Sequence, residues 1–314
     1  MRYYCIAFVG MGSIGKRHVN NVCDLIAMQG DTCSIDLYRS SMDRSLPEEI
    51  TKKVHNQYLC NEPVQRDYDM VFITNPTSMH LETALKFRNY TKALFIEKPV
   101  FSTGQVPLKQ VRELDEITSY VACPLRYNPV LQYVKNNLDL SKVISVRAMS
   151  SSYLPDWRPG QDYRQTYSAH SDLGGGVDID LIHEWDYLSW IFGMPNQCKA
   201  VIGRISHLEI DSNDIALYVA RNNQMTFELH LDYFGRKPQR MLEIFTYDDT
   251  IRCDIIAGTV SFLKEGRILY FNNDRNTYQM AEVKHFFDIV EGRTANDSTV
   301  EHGVSVLNLA KSKM

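Results

Sequence analysis

A glycine-rich turn between a short apolar run and an amphipathic segment constrains this chain more than any other feature. The run Tyr4–Val9 is followed by Gly10-Met11-Gly12-Ser13-Ile14-Gly15 and then by apolar residues at helical spacing. In a strand–turn–helix unit the first glycine allows the tight turn, the second lets the backbone approach a pyrophosphate, and the third lets helix and strand pack closely. The helix N-terminus offers free N–H groups to the anion. We therefore predict dinucleotide binding by Gly10, Gly12, Ser13, Ile14 and Gly15.

The first part of the chain alternates between strand and helix patterns. Apolar runs of strand length are separated by segments with helical spacing, among them residues 80–88 and 109–117. This alternation is typical of a parallel, doubly wound sheet. The predicted strands are Tyr4–Val9, Thr32–Tyr38, Met70–Thr74, Ala93–Ile96 and Tyr120–Ala122.

The pattern changes after Cys123-Pro124. A helix is predicted for 129–137, a strand for 143–151 and a polar aromatic loop for 153–172, after which Gly174-Gly175-Gly176 leads into a helix through about Ile191. Several strands then follow one another up to about Tyr270, which indicates an antiparallel or mixed sheet. Two helices complete the chain. A length of 314 residues suits two domains, and we predict a Rossmann domain at 1–122 and a substrate-binding and oligomerisation domain at 123–314.

Composition excludes several classes of function. Hydrophobic residues make up 44% and charged residues 23% of the chain, so it can bury a sizeable core. The net charge of -4 argues against partners such as nucleic acid or an anionic membrane surface. The apolar runs are too short to span a membrane, and we expect no signal peptide. Seven scattered cysteines without a Cys-x-x-Cys pair point to the reducing cytoplasm.

The residues that end the second strand bear on the choice between NAD and NADP. An acid there, about 20 residues beyond the glycines, binds the ribose 2′-hydroxyl of NAD. If Tyr38 is the last strand residue, that position holds no acid, and Arg39 and Ser40 suit a 2′-phosphate. In a shifted register Asp36 is the acid, although its inner position makes it the poorer choice. We expect NADP to be favoured over NAD, with Tyr38, Arg39 and Ser40 at the cofactor; otherwise Arg39 is a solvated surface residue.

Two further positions have side chains suited to proton transfer. Lys98, in Glu97-Lys98-Pro99, follows a predicted parallel strand, whose carboxyl end borders the crevice where such sheets bind ligands. Asp180 and His183 lie three residues apart in a predicted helix, where the carboxylate can orient the imidazole. The alternatives are a lysine in an ordinary turn and a histidine buried for structure. The zinc pattern His-Glu-x-x-His is absent, and we predict no metal.

The loop that follows the strand at 143–151 is the most distinctive stretch of the chain. It is rich in aromatic side chains, which offer stacking faces, and in arginines, whose guanidinium forks bind phosphate or carboxylate. A purely structural loop with solvated arginines is the alternative. The loop residues that we predict to bind substrate are Tyr153, Trp157, Arg158, Tyr163 and Arg164.

These motifs, in this order, resemble the glucose-fructose oxidoreductase / inositol dehydrogenase / MocA family over nearly the whole chain. Beyond the glycine turn and the Gly174-led helix, the resemblance rests on further short motifs. They are Thr74-Asn75-Pro76 with His80, Glu97-Lys98-Pro99, Arg126-Tyr127-Asn128-Pro129, Trp190-Ile191-Phe192-Gly193, Phe286-Phe287 and Glu301-His302-Gly303.

The resemblance implies an N-terminal Rossmann domain and a C-terminal α+β domain with a large, mostly antiparallel sheet. It also implies hydride transfer between NAD(P) and a sugar-like hydroxyl or ketone, with Lys98, His183 and Asp180 as catalytic residues. One departure is that the family spacing is Asp-x-x-x-His, whereas Asp180 and His183 are separated by two residues, which puts the role of Asp180 in doubt. The matching motifs further imply cofactor contacts from Thr74, Asn75, Pro76, His80 and Glu97, and a substrate contact from Arg126.

The sequence also leads to expectations about substrate and assembly. The arginine-rich loop looks like that of members linked to surface-carbohydrate synthesis, so we expect a nucleotide-linked or acidic sugar as the small-molecule substrate. The alternatives are an inositol or polyol dehydrogenase, or a regulator that binds the cofactor without turnover. The segment Phe227–Tyr233 alternates in polarity, and family members commonly associate through the open face of the second sheet. We therefore expect a homo-oligomer, either a dimer or a tetramer.

Overall fold

The computed structural model describes residues 1–312, which form two compact units. The first unit comprises Met1–Ala122 and Gln279–Ser305, and the second comprises Cys123–Tyr278 and residues 306–312. Residues 279–305 thus belong to the first unit, whereas the sequence prediction placed them in the second domain. The strands and helices listed below give the bounds within each unit.

The first unit is built on a parallel sheet of six strands. The order β3-β2-β1-β4-β5-β6 shows that the chain first extends the sheet to one side of β1 and then to the other, so a topological switch lies between β1 and β4. Ligands of such sheets bind at the carboxyl ends beside this switch. The strands are β1 Tyr3–Val9, β2 Thr32–Arg39, β3 Asn56–Leu59, β4 Tyr68–Ile73, β5 Thr91–Ile96 and β6 Thr118–Val121.

Most helices lie where the sequence predicts them, but one short helix is additional, and two helices replace the single one predicted after Gly174-Gly175-Gly176. The short α2 and the strand β3 lack a strong apolar period and were not predicted. The helices are α1 Ser13–Met28, α2 Glu48–Thr51, α3 His80–Phe87, α4 Leu108–Asp115, α5 Pro129–Asn137, α6 Val177–Asp180, α7 His183–Phe192, α8 Arg275–Val290 and α9 Val300–Ala310.

Aromatic packing explains why residues 279–305 join the first unit. Phe286, on α8, lies 5.5 Å from Phe72 and 5.3 Å from Phe95 between ring centroids, both in edge-to-face geometry. Val283 and Phe287 are buried in the same core cluster. Burial of such side chains contributes roughly 1.5–3 kcal/mol each. Without this segment one face of the parallel sheet would lose a large part of its apolar cover.

The second unit is built on an eight-stranded sheet of order β14-β13-β12-β11-β7-β10-β9-β8. Among the described strands of this sheet, only β7 and β10 pair in parallel, and the other pairs are antiparallel. The two sheets confirm the predicted fold class. The strands are β7 Val143–Tyr153, β8 Gln197–Gly203, β9 Ile215–Arg221, β10 Thr226–Asp232, β11 Phe234–Thr246, β12 Thr250–Asp254, β13 Thr259–Phe262 and β14 Arg267–Tyr270.

The segment after Gly174-Gly175-Gly176 is not the single helix that the sequence predicts. Helix α6 ends at Asp180, Leu181 leaves the helical region with φ -99° and ψ 27°, and α7 begins at His183. Two helices separated by a turn do not share a continuous face. The argument that placed Asp180 and His183 on one helical face was therefore wrong.

A membrane-spanning helix is not found among residues 1–312, since none of their helices is both long and apolar enough to cross a bilayer.

Candidate functional site

The glycine turn brings the end of β1 very close to the loop after β4. Gly10 has a φ of +90°, and its N–H donates to the carbonyl oxygen of Tyr38 at 2.9 Å. A Cβ at Gly10 would lie 2.7 Å from Asn75 Cα, and one at Gly15 would lie 2.8 Å from Thr74 Oγ1. Only glycine fits both positions, so this pair sets the close packing that dinucleotide turns need.

In contrast, Gly12 faces open space. Among the described residues no heavy atom lies within 4 Å of the Cβ position of Gly12, no side chain caps α1, and its first turn contains no acid. The first N–H groups of a helix lack intrahelical acceptors, and the dipole makes this end positive. Ser13 is exposed and Ile14 is half-buried. The turn therefore fits the pyrophosphate of a dinucleotide by approach of its backbone.

The carboxyl end of β2 carries basic and hydroxyl groups. Strand β2 ends at Arg39, which is half-buried and donates to Gln57 Oε1 at 2.9 Å, and Ser40 after it is exposed. Tyr38 is fully buried, and its hydroxyl lies 3.0 Å from that of Tyr68, so its phenol ring faces the core. The backbone carbonyl of Tyr38 contacts the glycine turn.

Asp36 is engaged inside the sheet. It is fully buried, accepts from Arg66 Nε at 2.9 Å, Tyr68 hydroxyl at 3.0 Å and Asn56 Nδ2 at 2.8 Å, and pairs in register with Ala7. The shifted register that would bring this carboxylate to the end of β2 is therefore not the register of the structure. Its position fits a structural role that anchors β3 and Arg66 to the sheet.

The loop after β4 is held by hydrogen bonds within the first unit. Thr74 Oγ1 donates toward the carbonyl oxygen of Gly10 at 2.9 Å, and Asn75 Nδ2 donates to Thr83 Oγ1 at 2.8 Å. His80 is buried, with Nε2 3.0 Å from the carbonyl oxygen of Asn75 and Nδ1 3.1 Å from that of Pro99. Burial lowers the pKa of His80. The loop after β4 contains Pro76, which precedes a short helical turn. The imidazole of His80 therefore joins this loop to the turn after β5.

The turn Glu97-Lys98-Pro99 follows β5, on the same edge of the sheet as the glycine turn. Glu97 is nearly buried, with Oε1 2.5 Å from His18 Nε2, and its Oε2 accepts the N–H of Lys98 at 3.2 Å. Burial favours a raised pKa for Glu97, but the hydrogen bond and charge of His18 outweigh it and hold the pKa below its ordinary value. Lys98 is half-buried, and its peptide bond to Pro99 is cis.

His183 is the first residue of α7 and is half-buried. The acids that follow it are anchored to arginines. Asp186 accepts from Arg126 through Nε at 2.9 Å and Nη2 at 2.6 Å, and Glu184 lies 2.7 Å from Arg240 Nε. These buried ion pairs fix the start of the helix that presents His183.

Arg126 is not available for the substrate contact that the family motif implies. Its guanidinium is 1% exposed and forms a two-bond pair with Asp186, which also accepts from Cys123 Sγ at 3.1 Å. The reason is the register of α7, which turns Asp186 toward the short 3₁₀ helix Pro124–Tyr127. The placement of Arg126 is structural, and we assign it no ligand.

Asp180 ends α6 and faces aromatic side chains. Its Oδ2 accepts from the hydroxyl of Tyr233 at 2.6 Å, and both residues are buried. Burial and the charge of Asp180 raise the pKa of Tyr167 and of Tyr233. Asp178, two residues earlier, pairs with Lys311 at 2.9 Å. Asp180 is thus the acid beside the aromatic cluster, and Asp178 is part of the framework.

The aromatic and basic loop supports itself through internal contacts. Trp157 donates from Nε1 to Ser152 at 2.9 Å and meets Tyr233 edge-on at 5.2 Å. Arg158 is exposed and lies 5.5 Å from the ring of Tyr167. The loop lines a cavity of about 10 Å³, which is about the space that one water molecule needs and far below the roughly 300–1,000 Å³ of usual ligand pockets. By itself this cavity is too small for a sugar nucleotide.

The remaining predicted loop residues are paired with neighbours. Tyr153, at the end of β7, lies under the guanidinium of Arg236 at 3.9 Å. Arg164 bridges Asp162 at 2.9 Å and Glu209 at 3.0 Å, and Tyr163 accepts from the N–H of Glu209 at 3.2 Å. Arg164 and Tyr163 therefore connect the loop to Glu209, whereas the guanidinium of Arg158 is exposed.

Two sets of residues near these positions, His18 and the pair Glu184 and Arg240, were not predicted from the sequence. His18 was hidden in the apolar face of α1, and only its place three residues beyond Gly15 could have drawn attention to it. Glu184 and Arg240 are far apart in the chain, and no local pattern signals their pairing.

A possible ligand cluster lies at the end of the loop. In the part of the chain that is described, His170, Asp172 and Asp211 place one potential ligand atom each within 4.8 Å of the others. The two acids are exposed, and Asp211 accepts the N–H of Ser171 at 2.6 Å. Loop closure explains these contacts without an ion.

Comparison with known proteins relates the first unit to a defined family. Residues 5–121 match the family model GFO_IDH_MocA, described as an oxidoreductase family with an NAD-binding Rossmann fold. The matched stretch contains the glycine turn and the Glu97-Lys98-Pro99 turn.

Curated relatives extend the likeness with modest identity. An uncharacterized oxidoreductase, YrbE, of Bacillus subtilis is 26% identical over 191 residues, which are 59% of this chain and 52% of the relative. Inositol 2-dehydrogenase of Salmonella typhimurium is 23% identical over 255 residues, 73% of this chain and 70% of the relative. The alignment thus spans about half the length of the first of these relatives.

Solved structures share the fold over the whole chain. UDP-N-acetylglucosamine 3-dehydrogenase GnnA from Acidithiobacillus ferrooxidans superposes with a TM-score of 0.77 at 18% identity, covering 99% of this chain and 96% of that one. At this identity the likeness establishes a common fold.

Proposed function

Because the chain belongs to the Gfo/Idh/MocA oxidoreductase family, with its NAD-binding Rossmann fold, we propose that it transfers a hydride between a nicotinamide cofactor and a sugar hydroxyl or ketone carbon. The observation that carries the proposal is Lys98 at the carboxyl end of β5, on the same sheet edge as the glycine turn. That edge, beside the switch between β1 and β4, is where ligands of doubly wound sheets bind.

The backbone of Gly12, Ser13 and Ile14 would hold the pyrophosphate, and the end of β2 would hold the adenosine ribose. Bound nicotinamide supplies or accepts the hydride. Lys98 would hold the proton at the reacting oxygen, and His183 would take it up or release it, since imidazole titrates near neutral pH. The family resemblance also assigns Asp180, which accepts from the hydroxyl of Tyr233, to the catalytic residues. The reversed direction uses the same groups.

We propose a nucleotide-linked or acidic sugar as the substrate. The support is the exposed guanidinium of Arg158 together with Arg236 over Tyr153, which offer charge and stacking surfaces for an anionic group. A dehydrogenase of similar fold is named for UDP-N-acetylglucosamine. An inositol dehydrogenase is the second candidate, because a relative with 23% identity has that name.

A substrate panel tests both candidates. Purified protein is incubated with oxidised NAD or NADP and with UDP-sugars, sugar acids or inositols, and reduced nicotinamide is followed by absorbance. Turnover of a UDP-sugar or sugar acid supports the first candidate. Turnover of inositols alone supports the second. No turnover, with cofactor binding intact, contradicts the enzymatic proposal and leaves the cofactor-binding regulator.

We predict that NADP(H) binds more tightly than NAD(H). Arg39 and Ser40 end β2 without an acid, and Asp36 is occupied by Arg66 inside the sheet. Calorimetry with both reduced cofactors measures the preference. Arg39→Ala should weaken NADPH binding and leave NADH binding within a few-fold. Tighter binding of NADH, unaffected by Arg39→Ala, contradicts the prediction.

We also propose a dimer or tetramer that forms through the open face of the second sheet. Helix α7 covers one face, where Trp185 packs edge-on against Tyr218 at 5.3 Å. The other face bears exposed Val201, Leu217 and Val219. Single exposed apolar residues are ordinary, but a cluster of them indicates an interface.

Light scattering and one variant test the assembly. We expect a particle of at least twice the 36.2 kDa chain mass at micromolar concentration. Val219→Lys should shift it toward the monomer because it places a charge in the proposed interface. A monomeric wild type contradicts the prediction.

We place the protein in the cytoplasm. The support is that all seven cysteines are free, as expected in a reducing compartment. Fractionation of the source cells, with the protein found in an oxidising compartment, would contradict this placement.

A further inference from the structure

A buried pair joins the helix of the glycine turn to the turn that contains Lys98. His18 lies on α1, one turn beyond Gly15, and is 1% exposed. Its Nε2 lies 2.5 Å from Oε1 of Glu97. The imidazole packs edge-on against Phe95, with 4.9 Å between ring centroids. The contact is therefore a charged hydrogen bond inside an aromatic core.

The pair is not explained by stability alone. A buried carboxylate is costly to desolvate, and an apolar side chain of similar size would fill the same space without that cost. Moreover, Nδ1 of His18 is buried and has no hydrogen-bond partner among residues 1–312. Buried polar groups are normally satisfied, and exceptions concentrate at functional positions. The pair therefore has a purpose beyond packing.

The second carboxylate oxygen of Glu97 shows what the pair does besides packing. Glu97 Oε2 accepts the backbone N–H of Lys98 at 3.2 Å. From the opposite side, His80 on α3 lies 3.1 Å from the carbonyl oxygen of Pro99 and 3.2 Å from that of Val100. The charged and titratable groups around Glu97 are His18, His80 and Lys98. The backbone on both sides of Lys98 is thus fixed by buried imidazoles.

We propose that His18 is a positioning residue for Lys98. It touches neither substrate nor cofactor in this proposal; it holds Glu97 as an ionised acceptor, and Glu97 holds the backbone from which the lysine side chain extends. The inference rests on the proposed function of Lys98. A small displacement of a catalytic group can cost about 10²-fold in rate, so the hydrogen bond has a large effect on turnover.

Three variants separate positioning from packing. His18→Phe fills the space but removes the donor, and His18→Gln keeps a donor without the charge. Asn21→Leu is the matched control, because Asn21 is a buried polar residue on the same helix whose Nδ2 has no hydrogen-bond partner in the described part of the chain. Each is measured for kcat, sugar KM, cofactor Kd, melting temperature and amide hydrogen exchange of the peptide containing residues 97–100.

We expect His18→Phe to lower kcat about 10–100-fold, to leave cofactor Kd within a few-fold, and to speed exchange at 97–100. His18→Gln should recover most of kcat, and Asn21→Leu should leave kcat and this exchange unchanged. If His18→Phe fails to fold, Glu97→Gln gives a second comparison, since it keeps the size of the side chain but has a single acceptor oxygen and cannot accept from both His18 Nε2 and the N–H of Lys98.

Two outcomes overturn the inference, and a third concerns only the proposed function. Unchanged exchange at 97–100 in folded His18→Phe overturns the positioning role, as does an equal loss of kcat in Asn21→Leu. If the wild type turns over no sugar, the proposed function fails, whereas the exchange measurement still decides whether His18 orders the Lys98 turn.

Discussion

Replacing Lys98 by methionine or His183 by alanine is expected to lower turnover by about 10²–10⁴-fold while cofactor affinity stays within a few-fold. Methionine keeps much of the lysine's length but cannot hold a proton at the reacting oxygen. Neither residue belongs to the glycine turn at Gly10 and Gly12 that would bind the pyrophosphate. The measurements are steady-state kinetics, calorimetric cofactor binding and melting temperature on the same samples.

A matched control is available on the strand that precedes Lys98. Lys92 lies on β5 and forms an exposed pair with Asp69 at 2.7 Å. Lys92→Met should therefore leave turnover close to wild type. If Lys98→Met or His183→Ala retains normal turnover, that residue has no part in the proposed chemistry. A lower melting temperature with normal specific activity would identify His183 as a structural residue.

The second large effect concerns stability. Asp186→Ala is expected to lower the free energy of unfolding by about 3–5 kcal/mol, because it leaves the Arg126 guanidinium buried without its partner. Both groups are almost fully buried, and two hydrogen bonds of 2.9 and 2.6 Å join them. The loss in free energy of unfolding is measured from the first transition of a denaturant unfolding curve.

An exposed ion pair is the appropriate control. Arg147 and Glu228 pair at 2.9 Å on the surface of the second sheet, with both side chains about half exposed. Arg147→Ala should cost about 0–1 kcal/mol. The double variant Arg126→Met/Asp186→Leu should recover much of the stability, since it removes both charges. If Asp186→Ala leaves the free energy of unfolding unchanged and raises the KM for substrate, Arg126 contacts the substrate, as the family motif implies.

Local features of the fold were predictable from the sequence. Residues that are neighbours in the chain determine three of these features, which are the glycine turn, the end of β5 before Glu97 and the helix at Pro129–Asn137. Turn chemistry, apolar period and the Asn128 cap act over a few residues, so sequence patterns contain them. The parallel sheet then follows from the order of these elements.

Features that depend on distant partners were not predictable. The motif containing Arg126 looked like a ligand site because nothing nearby in sequence reveals Asp186. Residues 279–305 join the first unit because Phe286 packs on strands far earlier in the chain. The break at Leu181 escaped notice because no glycine or proline stands between residues 177 and 192 to mark it.

Hydride transfer itself is tested most directly with isotopically labelled cofactor. NADPH or NADH carrying deuterium at nicotinamide C4 is incubated with the protein and keto forms of UDP-sugars, sugar acids or inositols, and the sugar is analysed by mass spectrometry. We predict that one deuterium enters the sugar at the new carbinol carbon. We also predict that Lys98→Met slows the appearance of the deuterated sugar. A wild-type protein that binds the cofactor but transfers no deuterium to any of these sugars would contradict the account.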